Sequence, residues 1–233
     1  MKLCVIPARG GSKRIPRKNI KVFSGEIIIG YSIKAALESK FFDKVIVSTD
    51  DLEIADIAKS FGANVPFLRP KELATDHVDT LTVIKHAIEW FENQSFSPTE
   101  VCCLYATAPF VSPYTIKRAY EQKKLTKADY CLVATSFPSP IHRAIKITNE
   151  NRIKMINPEH VKSRSQDLEK FYHDAGQFYW GNAEAFKLMK PIISKNTTPY
   201  IVPRYLAQDI DTLEDWKYAE LIFNSLKING LLN

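Results

Sequence analysis

The sequence predicts an α/β fold, a mainly parallel sheet with helices on both faces. Two observations carry this. Short apolar, strand-like runs alternate with stretches of helical period almost from the first residue, and glycines and clustered charges fall directly after those runs. A chain of 233 residues, 45% hydrophobic and 25% charged, suffices for one domain (1–233) with a sizeable core and a small appendage.

Taken in order, Leu3–Pro7 is the first apolar run and reads as a buried strand. It is too short, and too soon ended by Pro7, for a signal-peptide core. Tyr31–Ser39 has helical character, and Lys44–Ser48 is a β-branched strand. Ile54, Ile57, Ala58 and Phe61 recur at helical spacing until Gly62 stops that helix. Val65–Leu68 is a short extended piece. Leu81, Ile84, Ile88 and Phe91 mark an amphipathic helix, followed by a strand at Val101–Tyr105, a helix at Thr115–Leu125 and a strand at Tyr130–Thr135. The rhythm breaks over residues 137–175, where Pro138, Pro140 and Pro158 stand among many charges. His160, Arg164, Phe171, Tyr172 and His173 are too varied a set for a linker, so this segment is expected to be an inserted arm that covers a site or pairs with another subunit. Gly176–Trp180 and Tyr200–Val202 resume the alternation. Thr212, with Asp215 three residues on, has capping-box spacing and opens a closing helix with the stripe Trp216, Ala219, Phe223 and Leu226.

Composition narrows the function. No apolar run approaches the ~18 residues of a membrane span, so no membrane partner and a cytoplasmic location are expected. Cys4, Cys102, Cys103 and Cys131 sit in apolar runs without Cys-x-x-Cys or zinc spacing, as reduced packing residues do. A net charge of +6 points to anionic partners without choosing among them.

Chemistry concentrates in two places. Pro7-Ala8-Arg9-Gly10-Gly11-Ser12-Lys13-Arg14-Ile15-Pro16-Arg17-Lys18-Asn19 follows the first strand directly. Adjacent glycines allow backbone N–H groups to turn inward as an anion nest, and Arg9, Lys13, Arg14, Arg17 and Lys18 surround it with positive charge, as a triphosphate requires. The spacing fits neither a Walker A loop nor the dinucleotide fingerprint. A solvated charged loop is the bland alternative. Nucleic-acid binding would interleave aromatic residues, and none lies between Pro7 and Val22, so no nucleic-acid partner is expected. The second place is Gln208-Asp209-Ile210-Asp211-Thr212. In an extended segment Asp209 and Asp211 face one way while Ile210 packs inward, an arrangement suited to Mg²⁺, with Mn²⁺ as an alternative ion. Its competitor makes Asp211 a neighbour of the helix cap and Asp209 a surface charge.

Over essentially its whole length the sequence resembles the CMP-acylneuraminate synthetase family of cytidylyltransferases. The resemblance is carried by Ile6-Pro7-Ala8-Arg9-Gly10-Gly11-Ser12-Lys13, Pro16 with Lys18-Asn19, Ser48-Thr49-Asp50, Phe67-Leu68-Arg69-Pro70 with Leu73-Ala74, and Gln208-Asp209-Ile210-Asp211-Thr212. Lys13–Asn19 and Tyr172–Trp180 look like the family's pseudaminic acid branch, where sialic acid enzymes carry Lys-Gly and Asn-Gly-Ala-Ile-Tyr. The resemblance implies a Rossmann-like nucleotidyltransferase fold and a homodimer with the arm crossing to its partner. The substrates implied are CTP and a nine-carbon acidic sugar, first of all pseudaminic acid, with sialic or legionaminic acid as alternatives.

It further implies that Arg9, Ser12, Lys13, Lys18 and Asn19, in a nucleotide-binding stretch that includes Ala8, Gly10 and Gly11, handle the phosphates and base, and that Arg69 reads cytosine. It places the metal on Asp209 and Asp211. In the expected reaction the anomeric hydroxyl attacks the α-phosphorus, with Arg9, Lys13, Lys18 and Asp211 as the catalytic set. Arg164, Gln166, His173 and Gln177 are the candidate sugar contacts, with Trp180 as an aromatic wall. Two stretches depart from the family. Tyr105-Ala106-Thr107-Ala108-Pro109 stands where sialic acid relatives have Gln-Pro-Thr-Ser-Pro, so the glutamine's ribose contact is not carried over. Gly25-Glu26-Ile27 replaces Gly-Lys-Pro. A sugar-1-phosphate nucleotidyltransferase and a non-enzymatic nucleotide-binding or basic module are the competing functions.

Overall fold

The computed structural model describes residues 1–232. In chain order the strands are β1 (Lys2–Pro7), β2 (Val22–Phe23), β3 (Glu26–Ile27), β4 (Lys44–Ser48), β5 (Glu100–Leu104), β6 (Tyr130–Ser136), β7 (Ile145–Ile147), β8 (Ile153–Met155), β9 (Tyr172–Asn182) and β10 (Thr197–Ile201). The helices are α1 (Ile28–Glu38), α2 (Leu52–Ser60), α3 (Thr80–Asn93), α4 (Pro113–Thr126), α5 (Ala183–Lys187) and α6 (Leu213–Ile228). Six strands form the central sheet in the order β10-β6-β9-β5-β1-β4. β1 pairs in parallel with β4 and β5, and β10 in parallel with β6.

The β1 run is apolar throughout because both faces of the sheet are covered. Cys4 and Ile6 enter one cluster with α1, α2 and α4, whereas Leu3 and Val5 enter the other with α3 and α5. All four cysteines are buried and free, as expected. Asp51, Asp79 and Ser112 cap α2, α3 and α4 by accepting from backbone N–H groups in the first turn. Thr212 and Asp215 form the expected capping box, and Trp216, Ala219, Phe223 and Leu226 are the buried face of α6. That face packs on Phe23, whose ring lies 5.5 Å from Trp216 and 5.3 Å from Phe223, and so ties the end of the chain to the loop after β1. No helix among the described residues is long and apolar enough to cross a membrane.

Two features go beyond the sequence reading or depart from it. β9 runs antiparallel to both β5 and β6, since Ser136 pairs with Tyr172 and the two strands form one hairpin. Antiparallel neighbours need no crossover helix, and the arm is the hairpin's connection. It therefore spans 137–171, because Tyr172–Ala175 already belong to β9. Within it β7 and β8 form a small antiparallel hairpin. The extended piece expected at Val65–Leu68 runs beside β4, with isolated bridges flanking it from Ile46 to Asn64 and from Thr49 to Leu68.

Candidate active site

A cleft of about 340 Å³ opens beyond the carboxyl ends of β1 and β5, where ligands bind in open α/β sheets. One wall is the loop after β1, with Arg9, Ser12, Lys13, Arg14, Lys18 and Asn19. The opposite wall is Arg69 and the Leu73–Val83 segment. Tyr105–Thr107 form part of the floor, and Asp209 and Asp211 close one end.

The loop after β1 is held open by specific bonds. Ala8 is buried and its N–H donates to Ser48 O at 2.9 Å, so it serves as backbone support. The Asn19 amide donates to Arg9 O at 3.0 Å and ties the two limbs of the loop together. The expected glycine nest is not formed. Gly10 N–H donates to Asp50 Oδ1 at 3.0 Å, and neither Gly10 nor Gly11 has a left-handed φ. Gly10 is required for clearance instead: a Cβ there would lie 2.6 Å from Asp51 Oδ2, the N-cap of α2. Gly11 has open space around it. Arg17 leaves the cationic set, because its guanidinium grips Asp51 at 2.5 and 3.0 Å and also Glu53. That hydrogen bond to Arg17 holds the Asp51 carboxyl below its usual range, against the opposing effect of burial.

The remaining cations point into the cleft, most of them onto carboxylates. Asp76 accepts from Arg9 at 2.6 Å and from Lys13. Asp211 pairs with Arg14 at 2.8 Å and with Lys18 at 3.3 Å, and Lys18 also donates to Ile210 O at 2.7 Å. Arg69 differs. Its backbone N–H donates to Thr49 O at 2.7 Å, which places the side chain at 5% exposure with Nε and Nη2 unpartnered. Burial lowers its pKa, partly offset by Asp50 and reinforced by Arg9. A buried guanidinium with open donors costs stability unless a ligand completes it.

Ile210 is fully buried, so Asp209 and Asp211 flank it on the cleft side, as their spacing predicts. Burial, then the charge of Asp211, raises the pKa of Asp209; Lys18 opposes this and no hydrogen bond does. Gly176, at φ +63°, lets β9 approach closely, since a Cβ there would lie 3.0 Å from Asp209 Cγ. The donor set is two carboxylates, Asp209 without a hydrogen bond and Asp211 held by Arg14 and Lys18. No group of three or more His, Cys, Asp or Glu residues poised for a metal occurs among the described residues. A carboxylate pair of this kind, once Asp211 is released, suits a hard divalent cation completed by phosphate oxygens and water.

None of the four candidate sugar contacts lines this cleft. Gln177 is 2% exposed and donates to Leu206 O at 2.5 Å, a satisfied core amide. His173 lies at the start of β9 against Phe137, at 4.8 Å. Arg164 and Gln166 are exposed on the arm, and Arg164 pairs with Asp167 at 2.7 Å. Trp180 is no wall either, for it is fully buried and stacked on Phe42 at 5.1 Å. Conversely, sequence reading overlooked Asp76, Thr80 and Tyr105, which the tertiary structure brings into the cleft. Asp76 carries a weak signal, as an acid in a loop before a capped helix.

Similarity to known proteins agrees with this geometry. The cytidylyltransferase family model matches residues 3–219. The pseudaminic acid cytidylyltransferase of Campylobacter jejuni subsp. jejuni serotype O:2 is 44% identical over 221 residues, 95% of each chain. The CMP-N,N'-diacetyllegionaminic acid synthase of Legionella pneumophila subsp. pneumophila is 33% identical over 225 residues, 94% of each chain. Among solved structures, a CMP:2-keto-3-deoxy-manno-octonic acid synthetase complexed with CTP superposes with a TM-score of 0.69 at 14% identity. It covers 96% of this chain and 98% of its own, a likeness of fold.

Proposed function

Because the chain belongs to the cytidylyltransferase family, we propose that it transfers CMP from CTP to the anomeric hydroxyl of pseudaminic acid, giving CMP-pseudaminic acid and pyrophosphate. The chain is a nucleotidyltransferase, and relatives at 44% and 43% identity over 95% of its length carry the choice of sugar. Within the site the observation that carries most weight is Arg69. Its guanidinium, part of a cleft otherwise ringed by Arg9, Lys13, Arg14 and Lys18 and with two nitrogens lacking any partner in the protein, suits the carbonyl and ring-nitrogen acceptors of cytosine.

The roles of the other residues follow from charge. Arg9 and Lys13 release Asp76 and take the β- and γ-phosphates, neutralising the leaving pyrophosphate. Arg14 and Lys18 transfer from Asp211 to the α-phosphate, where charge develops as the hydroxyl attacks. Asp211 and Asp209 are then free to hold Mg²⁺, or Mn²⁺, which when bound supplies positive charge to phosphate oxygens. The sugar enters beside this carboxylate end.

The arm supports a homodimer. Ile147 pairs across the hairpin with Ile153, and Ile145 with Met155, so one face is apolar, with Ile147 and Ile153 each 72% exposed. A second copy covers that face in this reading. A cytoplasmic location is part of the same proposal, since nucleotide substrates are made there.

Pyrophosphate release from CTP and Mg²⁺ with each of pseudaminic, legionaminic and N-acetylneuraminic acids tests the function. The legionaminic and sialic readings rest on relatives at 33% and 30% identity. A majority of CMP-N-acetylneuraminic acid in competition at equal concentrations refutes the sugar assignment. No release with any of the three refutes the reaction.

A further inference from the structure

Behind the cleft floor lies a run of three side chains that the reaction described above does not use. Tyr105 Oη donates to Tyr179 Oη at 3.1 Å, and Tyr179 Oη donates to Asp174 Oδ2. The other Asp174 oxygen, Oδ1, accepts Gly176 N–H at 2.8 Å. Asp174 accepts from Tyr179 through one oxygen and from Gly176 through the other, so the direction of this chain is set from the Asp174 end. Tyr179 has one proton and commits it to Asp174. Its oxygen must then accept from Tyr105, whose one proton is committed in turn. What Tyr105 presents to the cleft is therefore a lone pair.

Both hydroxyls keep their protons at neutral pH. Burial pushes Tyr105 up to about 12 and raises Tyr179 further, helped by the Tyr105 and Asp174 charges. The position is rigid as well as polarised. Tyr105 N–H donates to Gln177 O at 2.9 Å, Ser32 Oγ donates to Tyr105 O at 2.8 Å, and the two tyrosine rings meet edge to face at 5.6 Å. Thr80, whose hydroxyl rotates to donate or accept, stands beside Tyr105 in the cleft. Gly176, whose N–H bonds Asp174, packs against Asp209, a Cβ there lying 3.0 Å from Asp209 Cγ, which puts the Asp174 end of the chain beside the carboxylate pair. The chain thus joins the cleft lining at Tyr105 to the carboxylate end, beside which the sugar is proposed to enter.

We propose that Tyr105 is a specificity-determining residue for the acidic sugar, an acceptor whose polarity is dictated by Asp174 through Tyr179. It accepts from an O–H or amide N–H of the sugar acid and disfavours an analogue that brings only lone pairs to that point. A preorganised polar group discriminates in this way because the wrong partner leaves buried groups unpaired. The inference rests on the proposed transferase reading.

The test is a set of variants read as separate KM values for sugar and CTP. Tyr105→Phe keeps the ring and removes the acceptor, so the KM for pseudaminic acid should rise about tenfold or more while that for CTP stays within about twofold. Asp174→Asn keeps the shape but can present its amide N–H to Tyr179. This turns both hydroxyls around and makes Tyr105 a donor to the cleft, with a similar rise in sugar KM. In a Tyr179→Phe background the relay is cut, and Asp174→Asn should add nothing further. Full additivity of Asp174→Asn and Tyr179→Phe overturns the relay. An unchanged sugar KM in Tyr105→Phe, or a rise in the CTP KM instead, overturns the assignment. If Asp174→Asn does not fold, the two phenylalanine variants decide between these outcomes. A parent protein that releases no pyrophosphate with any sugar acid overturns the transferase reading and is distinct from all of them.

Discussion

Replacing Arg69 with methionine is expected to move stability and nucleotide binding in opposite directions. In the free protein the guanidinium is 5% exposed, and two of its nitrogens, Nε and Nη2, have no partner. Each unsatisfied buried donor costs about 1–3 kcal/mol. The attraction of Asp50 offsets part of this cost, and the shorter side chain leaves a small void. A net gain of about 1–2 kcal/mol remains, which for a chain of this size corresponds to a Tm higher by about 2–8 °C. The guanidinium would make charge-assisted bonds to the cytosine base, and losing them costs about 3 kcal/mol, or more than a hundredfold in Kd. Thermal scans with and without CTP read both effects together. CTP at about a hundred times the parent Kd should stabilise the parent by about 2.7 kcal/mol and leave the variant almost unmoved. A variant with a lower Tm and unchanged CTP stabilisation refutes the reasoning, since it would mean that Arg69 is satisfied by the protein and does not read the base.

Three further outcomes are expected. Alanine at Arg9 or Lys13 should lower kcat about a hundredfold, because a charge on the departing pyrophosphate loses its partner; near-normal kcat in both variants refutes the triphosphate assignment. Asp209 has a folded pKa above its usual 3.8, so the folded state holds its proton to higher pH than the unfolded state does. Stability therefore falls as pH rises from that value through the folded pKa, and Asp209→Asn should raise Tm at pH 7 but not below pH 3.8. Mg²⁺ should stabilise the CTP-bound parent and not this variant; equal metal titrations of the two place the ion elsewhere. On the arm, Ile147→Lys with Ile153→Lys should convert a dimer to a monomer by light scattering at micromolar concentration, and a monomeric parent leaves the arm a lid over its own site.

What could be read from the sequence was whatever depends on neighbours in the chain. The β-branched run Lys44–Ser48 is a strand, and the capping pair Thr212 and Asp215 begins a helix, because both signals act within a few residues. Period-two alternation placed Asp209 and Asp211 on one side of a buried Ile210. The ordered motifs sufficed for the family. Gln177 is a core amide for a definite reason: β9 lies in the middle of a sheet buried on both faces, so Gln177, Phe178, Tyr179 and Trp180 are all buried and no polar–apolar contrast tells one face from the other.

By itself the sequence determined the α/β class, the cationic loop after the first strand and the carboxylate pair before the last helix, since composition and period encode them locally. Only the tertiary structure decided which of those charges meet. Asp76 reaches Arg9, and Asp174 sets the polarity of Tyr105 through Tyr179, whose hydroxyl meets that of Tyr105 across 74 residues of chain. Such contacts depend on strand order and on the reversed direction of β9, which follow from how the whole chain buries two faces of one sheet rather than from any short stretch of it.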